Sequence, residues 1–350
     1  MRIGTYHTFQ HPEWTDQREL YHQEFERLEL AERLGYDDVW IPEQHFTRYC
    51  LAGDPLALAS HAAARTKRVR IGIAVMNLSF AHPLRLAEEA AIVDVLSRGR
   101  LDMGIGRGYQ PIQYPVFGVA MEETRQRFEE VLEVLLKAWG TERFTHDGRF
   151  FHYPEVSVFP RPYNGNSVSL IMASNSKDSA QIAGAKGLPA LMARPFTTNE
   201  RIGADLDAYT SHLRESGRSD AAIDMLLDKS AVMKLCYVAP TDREAYEEPR
   251  EALRWHVDIL RRIMLRADEP APATYDHMRE RHATLEAFDY DAWWRDVLIF
   301  GSPARVLERV RELQRIGVRR LILWHGPGAV EHVKVVRSME LFAKEVRPGL

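Results

Sequence analysis

Gly99-Arg-Leu-Asp-Met-Gly-Ile-Gly-Arg-Gly-Tyr109 reads as a β-strand, Leu101 to Ile105, that follows a helix through a glycine and runs out into a glycine-rich loop carrying one arginine. The same helix, glycine, strand junction recurs at Gly35 before Asp38–Ile41, at Lys186-Gly187 before Leu188–Met192, and at Ile316-Gly317 before Arg319–Trp324. Glycine just past a helix end is favoured because it takes the left-handed conformation that closes the last turn. Repetition of one junction along the chain predicts repeated βα units.

Further strands are expected at Arg2–His7, Val69–Val75, Val168–Met172 and Ala231–Val238, which brings the number to eight. Amphipathic stretches lie between them, such as 16–34 with Tyr21, Phe25, Leu28 and Ala31 at spacings of three and four. Eight such units predict an α/β fold, a (β/α)8 barrel in one domain over residues 1–350, with its chemistry at the C-terminal ends of the strands. A doubly wound sheet fits less well, because the first strand lacks a G-x-G-x-x-G turn. Residues 143–162 break the rhythm, and Asp147-Gly148 between Phe144 and Phe150-Phe151 predicts an inserted hairpin. One helix is expected from Asp242 to about Leu265, followed by an exposed, mobile run from Arg266 to Thr274 rich in charge and proline.

Composition narrows the function. With 350 residues and 45% hydrophobic content the chain can build a large core. Its 46 basic and 50 acidic residues give no cationic excess for nucleic acid or an anionic membrane surface. No apolar run approaches the ~18 to 20 residues of a membrane span. The two cysteines, Cys50 and Cys236, suit a reducing compartment, and a cytoplasmic location is expected.

In a barrel the strand ends present His7, then Glu43, Gln44 and His45, then Met76 and Asn77, Arg107, the Ser174–Ser179 turn, Arg194, and Trp324 with His325. Gly104, Gly106 and Gly108 let a flat ligand or a phosphate approach the backbone, and Arg107 offers a permanently charged fork. Ala173-Ser-Asn-Ser-Lys-Asp-Ser179 opens a helix whose first N–H groups can hold an anion, or whose serines simply cap it. Arg107 and this turn fall on adjacent strands, which points to a phosphate-bearing cofactor. Met76, Phe46, Tyr109 and Trp324 are candidates for an apolar lining. No metal is expected, since His7, His45 and His325 lack the spacing of a metal-dependent barrel.

With these residues laid out, the chain resembles the bacterial luciferase-like flavin monooxygenases. The resemblance is carried by Gly35-Tyr-Asp-Asp-Val-Trp-Ile-Pro-Glu-Gln-His-Phe-Thr47, Gly53-Asp-Pro55, Ala81-His-Pro83, Leu96-Ser-Arg-Gly-Arg100, Arg107-Gly108, Val116-Phe-Gly118, Gly187-Leu-Pro189 and Gly301-Ser-Pro303, in the family's order. It implies an enzyme that takes reduced FMN from a separate NAD(P)H:flavin reductase and oxygenates a small organic substrate with O2 through a C4a-peroxyflavin. It assigns Arg107, Asn175, Ser176 and Ser179 to the phosphate, sets the ring system over the third strand with a cis peptide at Ala74-Val75, and adds Met76, Asn77, Gly108, Tyr109 and Ser174 to the cofactor-binding residues. It also implies a mobile lid at 263–290 and a homodimer or heterodimer through the second and third helices. His45, Gln44 and Glu43 are the catalytic candidates. Gln44 and Gly106 stand where luciferase has a histidine and a cysteine, so light emission is not implied. F420-dependent hydride transfer on the same fold and a non-catalytic flavin-binding subunit are the alternative readings.

Overall fold

A computed structural model describes residues 1–350. The barrel strands are β1 (Arg2–Tyr6), β2 (Asp38–Ile41), β3 (Arg70–Asn77), β4 (Leu101–Gly106), β7 (Ser169–Ala173), β8 (Ala190–Ala193), β9 (Ala231–Val238) and β11 (Arg320–Trp324). They pair in parallel in the order β9-β11-β1-β2-β3-β4-β7-β8, and β8 pairs back onto β9 to close the ring. The inserted hairpin is β5 (Phe144–Asp147) with β6 (His152–Val156), antiparallel and outside the barrel. A short strand that the sequence reading lacks, β10 (Ile299–Gly301), extends the sheet beside the upper half of β9, with Ile299 opposite Cys236.

The junctions that suggested the fold behave as their chemistry requires. Gly35, Gly99, Gly187 and Gly317 all have φ between +65° and +94°, the region that glycine enters without a Cβ clash. The opposite helix ends are also encoded locally: Asp16 and Asp54 accept hydrogen bonds from first-turn N–H groups, and Pro55 and Pro83 supply preset first-turn dihedrals.

Two expectations are corrected. The single helix after β9 is two, Asp242–Glu247 and Arg250–Ile263, because Pro249 lacks the N–H that would continue the first. The run after residue 265 is exposed over much of Arg266–Thr274, as expected, but it does not stay irregular beyond that. Ala273–Tyr275 forms a 3-10 turn and Asp276–Glu286 a helix, and Tyr275, Met278 and Leu285 are buried against the body of the barrel.

Polar side chains close the N-terminal end of the barrel. Arg320 of β11 donates from Nε to Asp38 Oδ2 at 2.8 Å and from Nη2 to Asp102 Oδ2 at 2.7 Å. Its guanidinium carbon lies 4.8 Å from the centre of the Trp40 ring, and Trp40 Nε1 donates to Asp38. Arg70 adds a second ion pair to Asp102 at 2.6 Å. Trp40 fits because β3 carries Gly72 beside it, where a Cβ would collide with the indole. Burial alone would raise the Asp102 carboxyl, yet Arg320 and Arg70 hold it well below the usual range, while burial prevails at Asp38 and raises it.

Candidate functional site

At the other end of the barrel the strand termini line an open-mouthed cavity. Seven strands contribute to it: Tyr6 from β1, Glu43 and Gln44 beyond β2, Ala74, Val75 and Asn77 of β3, Gly106 to Tyr109 at the end of β4, Met172, Ala173, Asn175 and Ser176 around the end of β7, Ala193 of β8 and Met233 of β9. The Ala74–Val75 peptide is cis, and the β3–β4 register shifts between Ile73 and Met76 at the same place. At Gly104 a Cβ would meet the Ile73 carbonyl, and at Gly106 it would meet Val75 Cγ2 at 2.6 Å. Glycine therefore lets β4 lie close to β3 at the cavity floor.

Arg107 and the Ser176 turn line this one cavity. Arg107 Nη2 donates to the Thr274 carbonyl at 3.3 Å, and its guanidinium carbon sits 5.1 Å from the centre of the Tyr275 ring. Its Nη1 is buried without a partner, which leaves one charged donor free for a ligand anion. Ser176 and Ser179 form a capping box on helix Lys177–Lys186, with the Ser179 N–H donating to Ser176 Oγ at 3.2 Å and the Ser176 N–H donating to Ser179 Oγ at 2.9 Å. The serines therefore cap their helix, while the N–H groups of Lys177 and Asp178 remain outside the intrahelical ladder. Asn175 accepts the Ala193 N–H at 2.9 Å and so ties the turn to β8. Arg125, absent from the sequence reading, pairs with Asp178 at 3.1 Å on the cavity wall.

The Glu43-Gln44-His45 run divides between two sides. Glu43 and Gln44 line the cavity; His45 faces a shallow outer groove with Phe46 and Arg48. His45 Nε2 donates to Glu43 Oε1 at 2.9 Å, and Glu43 Oε2 accepts the Asn77 N–H at 2.7 Å, so the histidine reaches the cavity only through this carboxylate. Gln44 ties a knot of amides: its Oε1 accepts from Gln110 at 2.5 Å and Gln113 at 3.3 Å, and its Nε2 donates to the Tyr109 hydroxyl at 3.3 Å. Met76 is buried outside the lining, and Ser174 Oγ donates back to the Met172 carbonyl at 3.1 Å. Phe46 is 53% exposed with φ +63° and packs on His45 and Phe117.

The remaining expected strand-end groups lie elsewhere. His7 and His325 sit in a separate small cavity with Glu24 and Arg27. His7 bonds Thr5 at 2.8 Å and Glu24 at 3.2 Å, and His325 bonds Ser338 at 2.9 Å, so their ring nitrogens are engaged in structure. Trp324 packs between Tyr6 and His256. Arg194 pairs with Asp205 at 2.9 Å in an outer chamber that shares Asn175, Ser176 and Arg281 with the main cavity.

Several lining residues escape a reading along the chain: Tyr6, Tyr49, Tyr275, His277, Met278 and Arg281. The last four belong to the covering segment. It is held down by a hydroxyl chain in which Tyr114 donates to Tyr275 at 3.0 Å and Tyr275 lies 2.8 Å from Thr124 Oγ1. The chemistry available is therefore an anion site at one end, a floor of small residues, apolar walls from Phe128, Met172, Leu191 and Met233, and a cover.

Residues 1–320 match the family described as luciferase-like monooxygenase. The alkanal monooxygenase alpha chain of the Kryptophanaron alfredi symbiont is 24% identical over 364 aligned positions, covering 100% of this chain and 98% of the relative. Among solved structures, the oxygenating constituent of the 3,6-diketocamphane monooxygenase of Pseudomonas putida, in complex with FMN, superposes with a TM-score of 0.82 at 21% identity, over 100% of this chain and 98% of that one. An F420-dependent secondary alcohol dehydrogenase does so with a TM-score of 0.75 at 18% identity, over 99% and 98%. These structural likenesses are likenesses of fold.

Proposed function

The chain belongs to the luciferase-like monooxygenase family, and from that premise we propose that its cavity binds reduced FMN, delivered by a separate reductase, and oxygenates a small organic substrate with O2. The observation that carries this reading is the unpartnered, buried Nη1 of Arg107 beside the open first turn of helix Lys177–Lys186. An arginine donor and backbone N–H groups together suit a phosphate monoester. The glycine and alanine floor beyond it, Gly106, Ala74 and Ala173, suits the flat face of a ring system. Bound reduced flavin supplies the electrons for oxygen activation. The protein's own part is to hold the phosphate through Arg107, Ser176 and Ser179, fix the ring against β3 and β4, and keep water out with apolar walls and the segment around Tyr275.

Glu43 and Gln44 act in this reading as positioning groups, since Glu43 fixes Asn77 and Gln44 fixes Tyr109; His45 steadies Glu43 from outside. Residues 263–290 are the lid, and its contact with Arg107 through Thr274 couples closure to the anion site. Ile92, Val95 and Leu96, exposed on helix Pro83–Leu96, support a subunit interface on the second and third helices.

Equilibrium titration of the protein with oxidised FMN, reduced FMN and F420 tests the assignment. Reduced FMN is expected to bind more tightly than oxidised FMN, and Arg107→Ala to weaken it by at least about tenfold, in line with a charge-assisted hydrogen bond. Preference for F420, or FMN binding indifferent to Arg107, overturns the reading.

A further inference from the structure

If flavin phosphate occupies the Arg107 end, which is the premise of this subsection, the cavity still holds a cation that the phosphate leaves unexplained. Arg281 lies on helix Asp276–Glu286, four residues after His277 and three after Met278, and the spacing brings all three to the cavity. Its guanidinium carbon packs 5.5 Å from the centre of the Phe196 ring. The neighbouring arginines are neutralised, Arg125 by Asp178 and Arg194 by Asp205. Arg281 forms no ion pair of its own, and of the two carboxylates in the lining, Glu43 and Glu129, Glu43 is already held by His45 and the Asn77 N–H.

The phenols are suited to donate. Burial raises Tyr6, Tyr49 and Tyr109, which keeps them protonated at neutral pH. Tyr109 accepts a hydrogen bond from Gln44, so its own proton is free to point elsewhere. Burial, reinforced by Arg107, Arg281 and Arg194, pushes His277 down to about 4, so it adds no second charge. One planar cation without an ion-pair partner and phenolic donors thus line the same cavity. A guanidinium fork matches the two oxygens of a carboxylate.

We propose that Arg281, with Tyr49 and Tyr109, is the carboxylate-recognition subsite for the organic substrate, which is therefore a small organic acid with an apolar body packed on Met172, Leu191 and Met233. Because Arg281 rides on the covering segment, a bound carboxylate would also hold that segment down.

Calorimetric titration of the full-length protein, with and without FMN, tests this using benzoate, phenylacetate and octanoate, each against its methyl ester. At least one acid is expected to bind on the order of tenfold more tightly than its ester. Arg281→Gln is expected to abolish that preference, Arg281→Lys to keep part of it, and both to leave FMN affinity within about twofold. Equal binding of acid and ester in every pair overturns the proposal, as does a preference that survives Arg281→Gln. So does a loss of FMN affinity in Arg281→Gln as large as that in Arg107→Ala, which would place Arg281 on the cofactor. Failure to bind FMN alongside an Arg281-dependent acid preference would support the subsite and instead overturn the cofactor assignment.

Discussion

At the scale of single residues the cavity depends as much on missing atoms as on charged ones. Gly104→Ala places a methyl group against the Ile73 carbonyl, with Leu191 Cδ2 at 3.1 Å and Val75 Cγ1 at 3.2 Å. Backbone cannot move aside as a side chain can, so the substitution is expected to cost on the order of 1 to 3 kcal/mol, measurable as a lower urea midpoint. Arg107 and Ser176 were legible in the sequence because each announces its chemistry locally, a fixed charge after a strand and a hydroxyl before a helix. Tyr49 and Arg281 were not, since only the folded chain brings a loop residue and a residue of the covering helix to the same cavity. His45 shows the converse: adjacency to Glu43 and Gln44 suggested a shared site, but its ring packs outward on Phe46 and Phe117.

At the scale of elements, the turn before Lys177–Lys186 caps its helix and is the proposed anion site, and a single change separates the two roles. Ser176→Ala removes one half of the capping box and is expected to lower stability by about 1 kcal/mol in denaturant melts, while weakening FMN binding less than Arg107→Ala does. The covering segment depends on fewer contacts. Tyr275→Phe deletes the hydroxyl shared with Tyr114 and Thr124, and hydrogen exchange over residues 273–286 is expected to speed up with little change elsewhere. The barrel strands and their glycine junctions could be read from apolar runs and helix ends, whereas the cover could not: its proline and charge content describes its exposed start, and burial of Tyr275, Met278 and Leu285 depends on the surface beneath.

For the whole molecule, protonation and the polar floor of the barrel set the limits of stability. Burial holds His256 and His325 neutral, each at about 3, against about 6.5 in the unfolded chain. Between those values the unfolded chain binds more protons, so the stability these rings contribute is full above the unfolded value and drains away as pH falls toward the folded one. From pH 7 to 5.5 the loss is expected to be on the order of 2 kcal/mol for the pair, and His256→Gln should remove roughly half of that slope in denaturant melts. Arg320→Met leaves Asp38 without an ion pair and Asp102 with Arg70 alone, and is expected to cost on the order of 3 to 5 kcal/mol, readable as lost soluble yield and a lowered melting temperature. The same knot has a consequence for traffic. With the base sealed, ligands reach the cavity from the strand-end side, so the segment carrying Tyr275 and His277 stands beside every arrival and departure.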